Sequence, residues 1–238
     1  MHPVIEEVLA RGFVHLPDVT IDTLVFAESI GTVFRPLADE NPIVTMKIEG
    51  NDIDKTPYAS CRTPALSLHT DYATFPSPPR FTITHCIEPD PEFPGRGVSI
   101  VLLLRAAIQH FEKNERALLG LLKSEVFPFC RNAEHELYHS TVPAFAILDV
   151  EGRVRFDRTL ILPHLDPAGD ARKADLIDAV LRFETLCNEH AERFDIALDR
   201  HEVLIVDNRR VLHSRNECTV RNEGTRQLSR EVNIAFLE

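Results

Sequence analysis

Val203-Leu204-Ile205-Val206 is a run of four apolar residues that ends abruptly at Asp207-Asn208. A short, largely β-branched run closed by turn-forming residues predicts a strand with no polar face, and such a strand must be covered on both sides. The chain therefore needs at least two layers. Its neighbours suggest antiparallel sheets. Short β-type stretches recur at 12–16, 43–48, 66–71, 81–87, 98–103, 126–129, 144–150, 153–156, 160–162, 193–198, 202–206, 211–213 and 226–237. Helical patterns are confined to 2–11, 21–31 and a mid-chain block at 104–113, 114–124 and 170–192. In the last of these, Leu176, Val180, Phe183 and Cys187 recur at spacings of four, three and four, the mark of an amphipathic helix. Strands and helices do not alternate, which argues against a parallel sheet. A mainly β fold is expected, an antiparallel sandwich or barrel with helices packed outside the major sheet. No repeat or linker divides it, so residues 1–238 read as one domain, with 104–200 a helix-containing insertion between core strands.

Composition narrows the function. With 44% hydrophobic and 26% charged residues in 238, the chain can bury a full core. A net charge of -11 without any basic run argues against a nucleic-acid footprint. Cys61, Cys86, Cys130, Cys187 and Cys218 are odd in number, scattered and never in Cys-x-x-Cys, so neither a disulfide framework nor a zinc knuckle is indicated. The first residues lack a basic segment followed by an apolar core, and no apolar run is long enough for a bilayer. A cytoplasmic setting is expected, with no membrane partner.

The chemistry concentrates at Leu66-Ser67-Leu68-His69-Thr70-Asp71. In an extended segment Leu66 and Leu68 turn toward apolar packing while His69 and Asp71 share the opposite face. An imidazole and a carboxylate so placed suit a divalent first-row metal. A third ligand from a distant strand would complete the 2-His-1-carboxylate set that leaves open positions on iron. His213 is that ligand, delivered by the short strand that follows the Asp207-Asn208 turn. Two similar spacings lack this context. His164-Leu165-Asp166 lies between prolines, and His190-Ala191-Glu192 falls in a helical pattern, where residues two apart do not face each other. Beyond His213, Arg226-Gln227-Leu228-Ser229-Arg230 places two arginines on one face of a strand pattern, suited to an anion. Arg226 could instead pair with Asp207 or Glu231.

Together, His69-Thr70-Asp71, the turn Gly95-Arg96-Gly97-Val98-Ser99, the block from Asp207-Asn208-Arg209 to His213-Ser214-Arg215, and Arg226 to Arg230 resemble the Fe(II)/2-oxoglutarate dioxygenases of the taurine dioxygenase and clavaminate synthase-like group. The resemblance runs from about Gly12 to the end of the chain. It implies a double-stranded β-helix (jelly-roll) core in which His69, Asp71 and His213 hold iron. It further implies that 2-oxoglutarate chelates the iron, its distal carboxylate meeting Arg226. Ser99 stands where the family has a threonine that hydrogen-bonds the cosubstrate, and Arg230 where it has an arginine near the substrate or the inner carboxylate. Halogenating relatives lack the carboxylate, so Asp71 points to oxygen chemistry.

The expected protein is an oxygenase that uses Fe(II), 2-oxoglutarate and O2 on a small polar metabolite, with hydroxylation of an unactivated C–H bond as the first expectation. An amino acid or similar zwitterion is the first guess at substrate, its carboxylate held by Arg62, Arg131 or Arg230. Desaturation, cyclisation or oxidative C–N cleavage are the alternatives, and a non-catalytic jelly-roll binding metal or 2-oxoglutarate is a further one. The loop 130–139 and Tyr72 are candidate substrate contacts. His85, His110, His135 and His139 are read as structural.

Overall fold

The structure is a computed structural model that describes residues 1–35, 41–50, 59–129, 142–165 and 170–238. Helix α1 (Pro3–Arg11) begins where the His2 side chain accepts the Val4 N–H and Pro3 presets the first turn, and it ends at Gly12 with φ 90°, a left-handed conformation that glycine adopts freely. Strand β1 (Phe13–Leu16) and α2 (Thr23–Ile30) follow, α2 capped by Asp22 accepting from the Leu24 and Val25 N–H groups. Next come β2 (Val44–Lys47), β3 (Leu66–His69), β4 (Phe81–Glu88) and β5 (Ser99–Leu103). The mid-chain block holds α3 (Arg105–Asn114), α4 (Arg116–Ser124), the short β6 (Phe127–Pro128) and β7 (Ala144–Phe145), α5 (Arg158–Ile161) and α6 (Ala171–His190). The chain closes with β8 (Glu192–Ile196), β9 (Val203–Asp207), β10 (Val211–Arg215), β11 (Val220–Glu223), β12 (Arg226–Ser229) and β13 (Glu231–Leu237).

Two antiparallel sheets dominate. The major one runs β1-β9-β4-β13-β2 and the minor one β3-β10-β5-β8. Alternation of side chains then creates three apolar layers. On β9, Leu204 and Val206 face the space between the sheets, where Phe13, Val101 and Val211 meet them. Val203 and Ile205 face outward, against Ile5 and Val8 of α1 and Phe26 and Ala27 of α2. All five residues of β9 are buried, as its apolar run predicts.

The minor sheet has its own cover. Leu68, Leu102 and Leu212 point away from the inter-sheet space and pack against Phe111 of α3, Leu118 and Leu122 of α4 and Phe183 of α6. The α6 stripe of Leu176, Val180, Phe183 and Cys187 is buried. Helices thus flank both sheets, where the sequence led us to expect them on the major sheet, because β3, β5 and β10 each turn a buried leucine, Leu68, Leu102 and Leu212, away from the inter-sheet space. The segment 160–162 is not a strand. Asp157 accepts the Thr159 N–H at 2.8 Å and starts α5 there. The stretch 144–150 is extended only at β7, since Asp149 accepts the N–H groups of Glu151 and Arg153, both at 2.9 Å, and turns the chain. No helix among the described residues is long and apolar enough to cross a membrane.

Candidate metal centre

Strand β3 delivers His69 and then stops, so Asp71 sits on the turn that follows rather than on the strand. Three contacts hold that turn. The Asp71 N–H donates to Asn208 Oδ1 at 2.8 Å, and Asn208 Nδ2 donates back to the Asp71 carbonyl at 3.0 Å and to the Pro79 carbonyl at 3.1 Å. One residue later, Tyr72 has φ 52°, a left-handed conformation that costs a bulky residue about 1–3 kcal/mol and persists where surroundings enforce it. His213 enters from β10, directly opposite His69 on β3 and Val101 on β5.

The three side chains converge. Their donor atoms lie within 4.8 Å of one another: His213 Nε2 is 3.2 Å from Asp71 Oδ2, and His69 Nε2 is 3.8 Å from Asp71 Oδ1. His69 Nδ1 lies 2.9 Å from the Ser67 carbonyl, so this nitrogen carries the proton and Nε2 offers its lone pair to the centre. His213 Nδ1 is buried, with no hydrogen-bond partner among the described residues.

The electrostatics favour a cation. Burial alone would raise the Asp71 pKa, but the two imidazoles and hydrogen bonds from His213 and from Thr82 Oγ1, at 2.6 Å, hold it far below the usual carboxylate range. Burial and the neighbouring His213 lower His69 against the pull of Asp71, Asp157 and the Ser67 carbonyl. A carboxylate kept ionised beside a neutral imidazole is the donor set that a divalent first-row metal requires.

The expected anion contacts divide. Ser99 is buried on β5 across from Arg215 of β10, two residues along each strand from the Val101–His213 pair. Arg230 is buried, and no carboxylate among the described residues forms an ion pair with it. Burial and nearby Arg215 work against its charge, while Cys218, Cys86 and Asp90 favour it. Gly97, two residues before Ser99, lies against it with φ 68°; a Cβ there would stand 2.7 Å from Arg230 Cδ, which explains the glycine.

Arg226 is not brought to this place. It is exposed on β12, opposite Glu223 of β11 in a separate two-stranded ribbon, and the pairing of β13 begins only at Glu231. The expected common face for Arg226 and Arg230 is broken by that interruption. Nor does Arg226 pair with Asp207 or Glu231, whose partners are Arg80 and Lys47. Arg62 is half-buried near Arg215, which donates to its carbonyl at 2.8 Å. Arg131 and the loop 130–139 lie outside the described residues. Sequence reasoning missed Thr82 and Asn208. Asn208 carried a signal, since it closes the apolar run, but a turn role was sufficient to explain it. A cavity of ≈ 230 Å³ between α1 and the end of β13, lined by residues such as Ile5, Leu9 and Phe81, shares no residue with the site.

Two facing antiparallel sheets with a His, Asp, His centre between them are the arrangement of a non-haem metal oxygenase. The chain belongs to the taurine catabolism dioxygenase TauD, TfdA family, which it matches over residues 2–230. It is 28% identical to Dioxygenase str8 of Strobilurus tenacellus over 153 residues, 63% of this chain and 34% of that relative, so the match spans about a third of the relative's length. Among solved structures it resembles asparagine oxygenase in complex with Fe(II), 2S,3S-3-hydroxyasparagine and succinate, with TM-score 0.68 and 18% identity over 95% of this chain and 74% of that one. The non-heme iron oxygenase OrfP in complex with (3S)-hydroxy-L-Arg gives TM-score 0.69 and 14% identity over 98% and 78%. The PvcB protein of Pseudomonas aeruginosa gives 0.65 and 15% over 99% and 80%.

Proposed function

We propose that this chain is an Fe(II)- and 2-oxoglutarate-dependent dioxygenase, one domain over residues 1–238 in which 104–200 is an insertion, and that its two sheets form a double-stranded β-helix core. The observation that carries the reading is the convergence of His69, Asp71 and His213 within 4.8 Å. Iron with 2-oxoglutarate supplies the oxidation of a C–H bond by dioxygen, with succinate and carbon dioxide as coproducts. The protein's part is positional. His69 Nε2, His213 Nε2 and the Asp71 carboxylate would hold the metal, and Thr82 and Asn208 orient the carboxylate and its backbone. Arg230, buried and without an ion pair among the described residues, receives the distal carboxylate of 2-oxoglutarate, with Ser99 as hydroxyl partner, and Arg226 has no such role. The amino-acid products named with asparagine oxygenase and OrfP support an amino-acid-like substrate and hydroxylation as the outcome.

The test is anaerobic titration of the Fe(II) protein with 2-oxoglutarate, followed by oxygen and a succinate assay. A visible charge-transfer band that decays in oxygen is expected, and Asp71→Ala should show neither band nor succinate. Arg230→Ala should raise the 2-oxoglutarate concentration needed at least tenfold, whereas Arg226→Ala should leave it unchanged. The reverse outcome would return the anchoring role to Arg226.

A further inference from the structure

The inward faces of the two sheets differ from one end to the other. Arg230, Ser99 and Arg215 lie at one end, and the opposite end is aromatic. Phe236 of β13 stands directly across from Thr82 of β4, the residue whose hydroxyl donates to Asp71. Side chains paired in this way share a face of the sheet, so the Phe236 ring points to the same side as the carboxylate ligand. Phe236 is six residues beyond Arg230, about 20 Å for an extended chain.

Three further rings gather on it. The Tyr72 ring centroid is 4.8 Å from that of Phe236, 4.9 Å from Phe75 and 5.3 Å from Phe34, each contact edge-to-face. Phe34 is tied to this end by its N–H, which donates to the Phe236 carbonyl at 2.7 Å. Tyr72 follows Asp71 directly, and its left-handed backbone fixes the direction in which the ring leaves the metal ligand.

Two cations lie behind these rings, Arg155 and Arg209, and Arg209 Nη2 donates to the Pro78 carbonyl at 3.4 Å. Arg155 Nη1 donates to the carbonyls of Ala73 at 3.2 Å and Phe75 at 2.6 Å, and Nη2 to that of Pro76 at 3.2 Å. Its guanidinium also lies 3.7 Å over the Phe145 ring. Arg155 therefore braces the turn that carries Tyr72 and Phe75, with both Nη1 N–H groups and one on Nη2 engaged there. In front of both cations, among the described residues, stand the four aromatic side chains.

We propose that Phe34, Tyr72, Phe75 and Phe236 form the substrate-recognition wall, and that the substrate turns an uncharged apolar or aromatic group toward it. Resting on the function proposed above, this makes the substrate amino-acid-like with an apolar side chain, distinct in class from asparagine or arginine. Edge-to-face stacking and desolvation would supply the selectivity.

Two measurements test it. In the anaerobic Fe(II) and 2-oxoglutarate protein, L-phenylalanine and L-leucine should shift the visible band at concentrations at least tenfold below L-asparagine and L-arginine. Tyr72→Asn, a residue that tolerates the left-handed backbone, should remove that preference while leaving the 2-oxoglutarate band itself intact. In the Co(II)-substituted protein without cosubstrate, indole protons should relax faster than those of acetamide, and the variant should abolish the difference. Equal or tighter binding of the polar probes, or a variant that keeps the preference, overturns the wall. Because the cobalt measurement needs no 2-oxoglutarate, an absent band would count against the proposed function while indole relaxation still decides the wall.

Discussion

His85 shows how differently two histidines of one fold can be used. His69 faces the inter-sheet space with one nitrogen held by a carbonyl and the other directed at a carboxylate. His85 lies on the outer face of the major sheet beneath α2, where Nδ1 shares a hydrogen bond of 2.8 Å with Thr23 Oγ1. Burial lowers its pKa below the ordinary 6.5, an effect that His201 reinforces and that the Val19 backbone and Asp22 only partly oppose. The unfolded chain therefore takes up a proton near pH 6.5 that the folded chain resists. The stabilisation is complete above that pH and is lost as the pH falls toward the folded value. Urea unfolding at pH 7.5 and 5.5 should show wild type losing more stability than His85→Gln across that interval. Equal losses would show that some other group governs the acid limb.

At the level of elements, the turn between β3 and β4 is the piece on which the centre depends. Strand pairing places His69 and His213, but nothing in a ladder places Asp71, which lies past the end of β3. Asn208, on the turn between β9 and β10, does this by hydrogen-bonding both backbone groups of Asp71. Asn208→Ala leaves a buried N–H and two carbonyls without these partners and should cost about 2–3 kcal/mol. The loss should be larger when unfolding is measured with Fe(II) present, because a displaced carboxylate also weakens the metal. An equal loss with and without metal would make Asn208 a scaffold residue only. The aspartate-asparagine turn was plain in the sequence; its reach across to Asp71 was not, because the two are separated by 137 residues and meet only when the sheets face each other.

For the molecule as a whole, metal and cosubstrate should tie the two sheets together. The ligands come from the minor sheet and its following turn, Thr82 comes from the major sheet, and Arg230 lies just before β13. A ligand that binds only the folded state at 100 times its dissociation constant adds about 2.7 kcal/mol, and a chain of this size gains about 2–4 °C per kcal/mol. Anaerobic Fe(II) should therefore raise Tm by about 5–10 °C, EDTA should reverse the rise, and Asp71→Ala should show none. A rise that persists in Asp71→Ala would place the stabilising metal elsewhere.

The primary structure alone carried the three side chains that converge, His69, Asp71 and His213, with the doubly buried β9 and the apolar stripe of α6, because these rest on local alternation and on residue types with narrow chemistry. Tertiary structure alone set Arg230 in the interior and left Arg226 outside, covered both sheets with helices, and assembled the aromatic wall from residues 34, 72, 75 and 236. Those outcomes follow from where β11 pairs with β12 and where β13 begins, and such pairings are decided by the whole packed core rather than by any stretch of chain.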